Sequence, residues 1–584
     1  MSRRLRILLL SPYPLEETAN PATAQLSALA AALRRLGHRA LLLAPTLDGE
    51  RAAGERQAIL AGEVGWARRT VAVGQAVGRG QLAPLSTRGG AELVERLAAD
   101  LQPDVLHLLD PLPGSLSAAA LRRCPQLMVV SPSPLLAGAP LAVRAAEGTL
   151  QRADGLIAPA AALARLLPGP PGRPTALLPP ALPLWTQLPR QRRNQLLLVE
   201  RDRAARRTAA RALRRLRLEP QLALLVAGAT EPSPRLAKGR PLPLGEAAER
   251  EAARSRAVVV GGDEDVPYAL AGLAGGAVVV APSTPLFREL LGGGERGLLY
   301  PEGDGKGLAE AIAAALGGAA EERAAAGAAL AATLTWERAA AGHARFYLRL
   351  LSRRKPLLPP PAGRALVELD LHMHTNHSHD CATPAATLLE RAREVGLDVI
   401  AVTDHNEVSG ALEAASLAPR YGVEVIVGEE IKTAGEGEVI GLFIAERIPP
   451  GLTLRETIEA IKEQGGVVYV PHPFDRLHSV PDYRHLLEVV ELIDAIEVYN
   501  ARVAFAAYNA EAARFAARYR LPGGAGSDAH VPEGLGSARV RMPAFSGPRQ
   551  FLRALAAGTV VSKPRSLLYV QALKFLRTTV GRSG

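Results

Sequence analysis

The stretch DLHMHTNHSHDC, residues 370–381, sets four histidines and two aspartates within twelve residues. Imidazole and carboxylate at that density point to metal ligation. Alternate residues of an extended strand share a face, so His372 and His374 project together from one strand end. Nine of the twelve histidines lie between residues 372 and 530, and five of them follow directly on an apolar run. The runs are ALVELDLHMH (365–374), DVIAVTDHN (398–406), GVVYVPHP (466–473) and GGAGSDAH (523–530); VEVIVGEEI (423–431) and DAIEVYN (494–500) end instead in acids and an amide. A lone histidine is usually a surface or satisfied core residue. Five at equivalent strand ends, each beside an acid, a proline or another histidine, predict a shared metal site.

Side chains so far apart in sequence act together only if their strands deliver them to one rim. Helical patterns separate most of the runs, as in TPAATLLERAREVG (383–396), where Thr383 suits the N-cap and Pro384 the first helical position. Repeated β-then-α units with polar residues at the strand C-termini predict a barrel whose site lies on one face. Upstream, SRRKPLLPPPAGR (352–364) reads as a stiff connector. Before it, RILLL, RALLLAP, DVLHLLD and QLMVVSPS alternate with helical patterns, and the rhythm restarts at QLLLVE (195–200) after a weaker break near 177–194. Continuous Val/Leu runs alternating with helices imply parallel sheets covered on both faces. The predicted fold class is α/β: two Rossmann-like lobes at 1–188 and 189–350, a linker at 351–364, and a barrel over 365–584.

Composition narrows the rest. At 584 residues the chain exceeds a single core. Its two cysteines, Cys124 and Cys381, form no CxxC, which excludes a thiolate zinc site and fits a reducing cytoplasm. The ILLL run after Arg6 is too short for a secretory segment, and no stretch approaches the roughly 18 apolar residues of a membrane span. Charge is uneven: residues 365–584 carry 22 Lys+Arg against 27 Asp+Glu, and the preceding residues 47 against 31. Much of that basic excess sits in RDRAARRTAARALRRLR (201–217), which reads as a solvated helix face. Nucleic acid is not indicated, because no aromatic stacking platform accompanies the arginines.

The motifs DLHMHTNHSHD, TDHN, GEEI, PHPFD and GSDAH resemble, in order, those of the PHP (polymerase and histidinol phosphatase) superfamily across nearly all of 365–584. The resemblance implies a distorted (β/α)7 barrel with two or three divalent ions and phosphoester hydrolysis. Its expected ligands are His372, His374, Asp380, His405, Glu430, His472, Asp528 and His530. Trinuclear members often carry a further histidine at the end of the fifth strand, where this chain offers Glu497 and Asn500, so Asn500 is expected as a weaker carbonyl ligand. His379 is an alternative to Asp380; His377, His478 and His485 are expected at the surface, and Glu429 outside the ligand set or exposed. Asp370 and Asp404 are candidates to fix histidine tautomers, and Cys381 to pack. The donor set suits zinc, manganese or iron. Two ions about 3.5–4 Å apart would acidify a bridging water for attack on phosphorus. Arg476 and Arg502 are candidates to clamp phosphate, and His530 or His405 to protonate the leaving oxygen.

ILLLSPYP (7–14), LRRLGHRALLLAP (33–45), DVLHLLDP (104–111), RADGLIAP (152–159), LLPPALP (177–183) and GLAGGAVVVAPSTPLFRELLGGGERGLLYPEGD (272–304) resemble GT-B glycosyltransferases of the retaining, sucrose-synthase-like kind. The departures are informative. The family's Gly-Gly turn reads TANPAT (18–23), its diphosphate-gripping segment RRT (206–208), and its paired glutamates fall on Asp263 and Ala271, with Glu264 adjacent. Alanine offers no oxygen to a ribose hydroxyl, so donor binding is expected to be badly weakened and this half to be a non-catalytic relative, with a nucleotide, a nucleotide sugar, a sugar phosphate or a polyanion as its candidate ligands. The reading is a cytoplasmic metal-dependent phosphoesterase acting on a small phosphorylated substrate. Its rivals are a bifunctional glycosyltransferase and phosphoesterase of glycan metabolism, and a non-enzymatic nucleotide-responsive protein with structural metals.

Overall fold

The computed structural model describes residues 3–16, 21–76, 89–134, 140–170, 172–182, 192–201, 203–228, 239–317, 320–475 and 480–562. The chain forms two compact units, residues 1–169 with 173–350, and residues 170–172 with 351–584. No helix among the described residues is long and apolar enough to cross a membrane.

The first unit contains two parallel sheets. Seven strands, β1 (Arg6–Leu10), β2 (Arg39–Thr46), β3 (Thr70–Gln75), β4 (Val105–Leu109), β5 (Leu127–Ser131), β6 (Gly155–Ala158) and β7 (Thr175–Leu177), lie in the order β3-β2-β1-β4-β5-β6-β7. The ILLL run is thus a central strand, with Ile7, Leu8, Leu9 and Leu10 all buried. Six more, β8 (Arg193–Val199), β9 (Ala223–Ala227), β10 (Arg240–Leu242), β11 (Ser255–Val259), β12 (Val278–Pro282) and β13 (Leu298–Tyr300), follow the order β10-β9-β8-β11-β12-β13. Helices cover these sheets, and the continuous apolar runs fill cores on both faces. The arginine-rich segment is the helix Arg203–Leu213, which buries Thr208, Ala209, Ala210 and Ala212 and leaves Arg203, Arg207 and Arg211 exposed, as a solvated face requires.

The second unit is a mixed nine-stranded sheet: β14 (Leu366–Met373), β15 (Val399–Val402), β16 (Glu424–Lys432), β17 (Glu438–Leu442), β18 (Val467–Val470), β19 (Ala495–Asn500), β20 (Gly523–Gly526), β21 (Ala538–Pro543) and β22 (Thr559–Ser562). Its order is β20-β19-β18-β17-β16-β15-β14-β21-β22. β17 runs antiparallel between β16 and β18, which interrupts an otherwise parallel succession from β14 to β20. β14 splits its partners. Its first half pairs antiparallel with β21, whereas its end meets the segment after β20, where the Asp528 amide donates to the His372 carbonyl (2.8 Å) and the His374 amide to that of Ala529 (3.0 Å). That second junction nearly closes the sheet into a barrel at the C-terminal ends of the strands.

Two local expectations changed. The helix after the first histidines spans Ala385–Glu394, so Pro384 stands at the N-cap, and the Thr383 hydroxyl donates to the His530 carbonyl instead of capping. The connector begins docked on the barrel: Arg353 reaches Glu491 (3.0 Å) and the Leu487 carbonyl, and the Lys355 ammonium donates to the Glu491 carbonyl (2.7 Å).

Candidate metal centre

Every strand from β14 to β20 brings a polar side chain to the same end of the barrel, the antiparallel β17 from its first residue, Glu438. β14 supplies His372 and, one step beyond, His374; His405 follows β15, Glu430 lies in β16, His472 follows β18, and Asp528 and His530 follow β20. Their donor atoms converge. His372 Nε2 and His374 Nε2 are 3.3 Å apart, and Glu430 Oε2 lies 3.3 and 3.5 Å from them. Glu430 also stands 3.2 Å from His405 Nδ1 and, through Oε1, 3.2 Å from His472 Nε2. Asp528 Oδ1 is 3.4 Å from His374 Nε2, and Asp380 Oδ2 is 2.8 Å from His530 Nε2. Glu430 is thus central to the cluster.

Electrostatics favour a cation there. Burial opposes ionisation of Glu430, but His372 and His405 beside it outweigh that and hold its carboxyl well below the usual range. Asp528 behaves likewise: burial raises it, and Arg502 and His372 bring it well below. Burial, with His530 and His405 nearby, pulls the His374 imidazole down and keeps it neutral, the form that ligates metal. Two of these residues hold left-handed backbone, His472 at φ 24° and Asp528 at φ 51°. Non-glycine residues adopt that region at an energetic cost, and such strain concentrates at functional sites.

The sequence-predicted neighbours divide. His379 lines the cavity, its ring 5.3 Å from that of His405. His377 is pinned outside the centre by Ser409 (2.8 Å) and Glu413 (2.7 Å), and His485 stands by Asp482 (3.1 Å). Arg476 and His478 lie outside the described residues. Cys381 is buried, its thiol donating to the His374 and His530 carbonyls. Glu429 is not exposed: it points away from Glu430 and accepts from the Ile448 amide (2.8 Å), burial raising its carboxyl to about 7. Asp370 and Asp404 tie backbone rather than imidazoles. Asp370 accepts from the Ser527 (2.9 Å) and Gly536 (3.0 Å) amides, stitching β14 to the closing segment, and Asp404 accepts from Thr375 N (2.6 Å) and Oγ1 (2.7 Å).

Two further predicted residues are engaged by their neighbours. Asn500 turns its carbonyl away from the centre, accepting from the Arg502 amide (2.8 Å), while Nδ2 donates to Glu497 (2.9 Å). Arg502 lines the cavity with Nη1 turned to the centre, where it donates to Asp528 Oδ1 (2.9 Å) and lies 2.8 Å from His530 Nδ1.

Sequence reasoning passed over Glu497 in favour of Asn500 and missed Glu438. Glu497 is buried, with Oε1 3.4 Å from His372 Nδ1 and Oε2 accepting from the His472 amide (2.7 Å). Glu438 stands 3.9 Å from His405 Nδ1, because the β16–β17 hairpin folds it back beside Lys432. Its run, EVIGL, carries no histidine to mark it. The centre opens into a cavity of about 480 Å³ lined also by Lys432, Glu438, Asp475 and Arg502.

In the first unit the positions matched to donor-binding residues are occupied internally. The Thr284 hydroxyl donates to Asp263 (2.5 Å), and Ala271 is buried in the helix Val266–Ala274. Arg206 Nε stands 3.5 Å from Glu200, and Arg201 donates to Asp265 (3.2 Å). The charge of the RRT segment therefore has an internal carboxylate beside it. Thr18, Ala19 and Asn20 of the TANPAT turn lie outside the described residues.

Residues 370–517 match the family model described as the PHP domain, 506–560 the PHP-associated model, and 22–181 Glycosyltransferase Family 4. An uncharacterised protein of Methanocaldococcus jannaschii is 40% identical over 146 residues, 23% of this chain and 82% of that protein. The 5'-3' exoribonuclease of Haemophilus influenzae is 34% identical over 124 residues, 19% of this chain and 45% of the enzyme. A solved structure of the Anabaena protein HepE with UDP and glucose has 16% identity and a TM-score of 0.45, covering 59% of this chain and 100% of that one. With five ordered motifs converging on one buried cluster, the chain belongs to the PHP domain family through its C-terminal unit, behind a region of the Glycosyltransferase Family 4 kind.

Proposed function

We propose that the C-terminal unit is a metal-dependent phosphoesterase acting on a nucleotide, sugar phosphate or similar small anion. The reading rests on one observation above all: five imidazoles and two carboxylates from five chain segments meet around Glu430 at 3.2–3.5 Å spacings. Mutually close donors at those spacings fit a divalent centre, and mixed imidazole and carboxylate suit zinc, manganese or iron. Bound there, such ions supply Lewis acidity to phosphoryl oxygens and an acidified water.

The chain's own residues would do the rest. Arg502 and Lys432 put positive charge on the cavity wall, where a phosphoryl group gains charge-assisted hydrogen bonds. A polar cavity of about 480 Å³ suits a mononucleotide-sized anion or the end of a longer chain. The resemblance to a 5'-3' exoribonuclease favours phosphodiesters of nucleotides among these. The amino-terminal half acts as a non-catalytic relative of glycosyltransferases, since Ala271 is buried and Arg201 and Arg206 face internal carboxylates.

Elemental analysis with a phosphoester panel, run on wild type and on His372→Ala with Asp528→Ala, tests the proposal. The wild type should carry metal and hydrolyse part of the panel, and the double variant should lose both. Equal hydrolysis by the two would reject the mechanism.

A further inference from the structure

We infer that the centre holds two divalent ions and that Asn500 and Arg502 close the third position with a donor amide and a permanent cation. The inference deepens the phosphoesterase reading and rests on it. Three groups of donor atoms lie close enough to grip an ion: His374, His405 and His530; His372, His374 and Asp528; and His372, Glu430 and His472. The middle group borrows a histidine from each of the others. A neutral imidazole has a single lone-pair nitrogen, and Nε2 of both His372 and His374 is the atom facing the cluster. At most two of these three groups, the outer ones, can therefore be filled together without one imidazole serving two ions. Glu430, within 3.5 Å of donors in both groups, spans them, and Asp528 adds an oxygen between.

The wall where a further ligand would enter is built against a cation. Asn500 ends β19, and its backbone is clasped by Asn509, whose Oδ1 accepts from the Asn500 amide (3.1 Å) and whose Nδ2 donates to the Asn500 carbonyl (3.1 Å). The amide's orientation is forced from both sides. The Arg502 N–H needs an acceptor and takes Oδ1, and the Glu497 carboxylate needs a donor and takes Nδ2, with Asp528 Oδ2 at 3.4 Å. The centre therefore sees N–H hydrogens at this position, and these repel a metal ion. Beside them the Arg502 guanidinium, which cannot be deprotonated, spends a donor on Asp528 Oδ1 and lies against His530 Nδ1. It supplies positive charge where another dication would otherwise have to stand.

The count is read directly. Apo protein is loaded with Mn²⁺, desalted and measured by plasma mass spectrometry, with titration calorimetry as a second count, for wild type, Asn500→His, and Asn500→His with Arg502→Ala. Two ions per wild-type chain, two in the single variant and three in the double variant are expected. Three ions in the wild type would overturn the inference whatever the variants do. Two in the folded double variant, judged by its thermal transition, would overturn the roles given to Asn500 and Arg502. A wild type that hydrolyses phosphoesters with three ions sinks this inference alone; one that binds none sinks the phosphoesterase reading with it.

Discussion

Replacing Glu497 by glutamine changes no volume and removes one charge, yet it should weaken the centre severalfold more than its distance from any reacting atom suggests. Glu497 Oε2 accepts from the His472 amide (2.7 Å) and from Asn500 Nδ2 (2.9 Å), so a glutamine keeps its oxygen there. The other position, 3.4 Å from His372 Nδ1, then becomes an NH₂ group. A carboxylate selects the tautomer with hydrogen on Nδ1, leaving the Nε2 lone pair for a metal; an amide NH₂ selects the opposite one and puts the hydrogen on Nε2. Carboxylate partners of metal-bound histidines are worth about 10- to 100-fold in affinity or activity. At about 1.4 kcal/mol per decade, that is about 1.4–2.7 kcal/mol. Competition with a chelating dye measures the affinity, and hydrolysis of a phosphodiester at saturating metal measures the rate. Unchanged affinity and rate in a Glu497→Gln protein of wild-type Tm would refute the tautomer argument.

Gly526→Ala should disrupt the same place by crowding, because a Cβ there would lie 2.3 Å from His372 Cβ and 2.4 Å from Glu497 Oε1. Overpacking of that kind costs about 1–3 kcal/mol, so a Tm fall of several degrees together with loss of bound metal is expected; a variant with wild-type metal content contradicts it. In the first unit, burial raises the Glu200 carboxyl to about 7, with Arg206 opposing. The folded state then holds a proton that the unfolded chain releases near pH 4.5, so stability falls as pH rises from about 4.5 to 7. Glu200→Gln removes this loss, and thermal melts should show its advantage at pH 8 exceeding that at pH 5, by at most about 3 kcal/mol. An equal difference at both pH values would exclude the buried carboxyl as its cause.

The local pattern carried most of the fold and the outline of the site. Continuous apolar runs such as RILLL and DVLHLL read as buried parallel strands because a strand covered on both faces has no polar side, and β1 and β4 lie adjacent at the middle of the first sheet. Histidines at strand ends read as a rim because chain direction fixes which end of every parallel strand faces the same way. What the sequence could not carry depends on which strands become neighbours. Glu438 enters the cavity only because β17 turns back against β16, and Glu497 meets His372 only because the barrel closes between β14 and the segment after β20. Orientation is likewise a tertiary property. Asn500 reads from its type as an oxygen ligand, but hydrogen bonds from the Arg502 amide and to Glu497 turn that oxygen outward. Residue type and spacing thus determined which chemistry the chain can perform, whereas packing across distant segments decided which atoms of those residues face it.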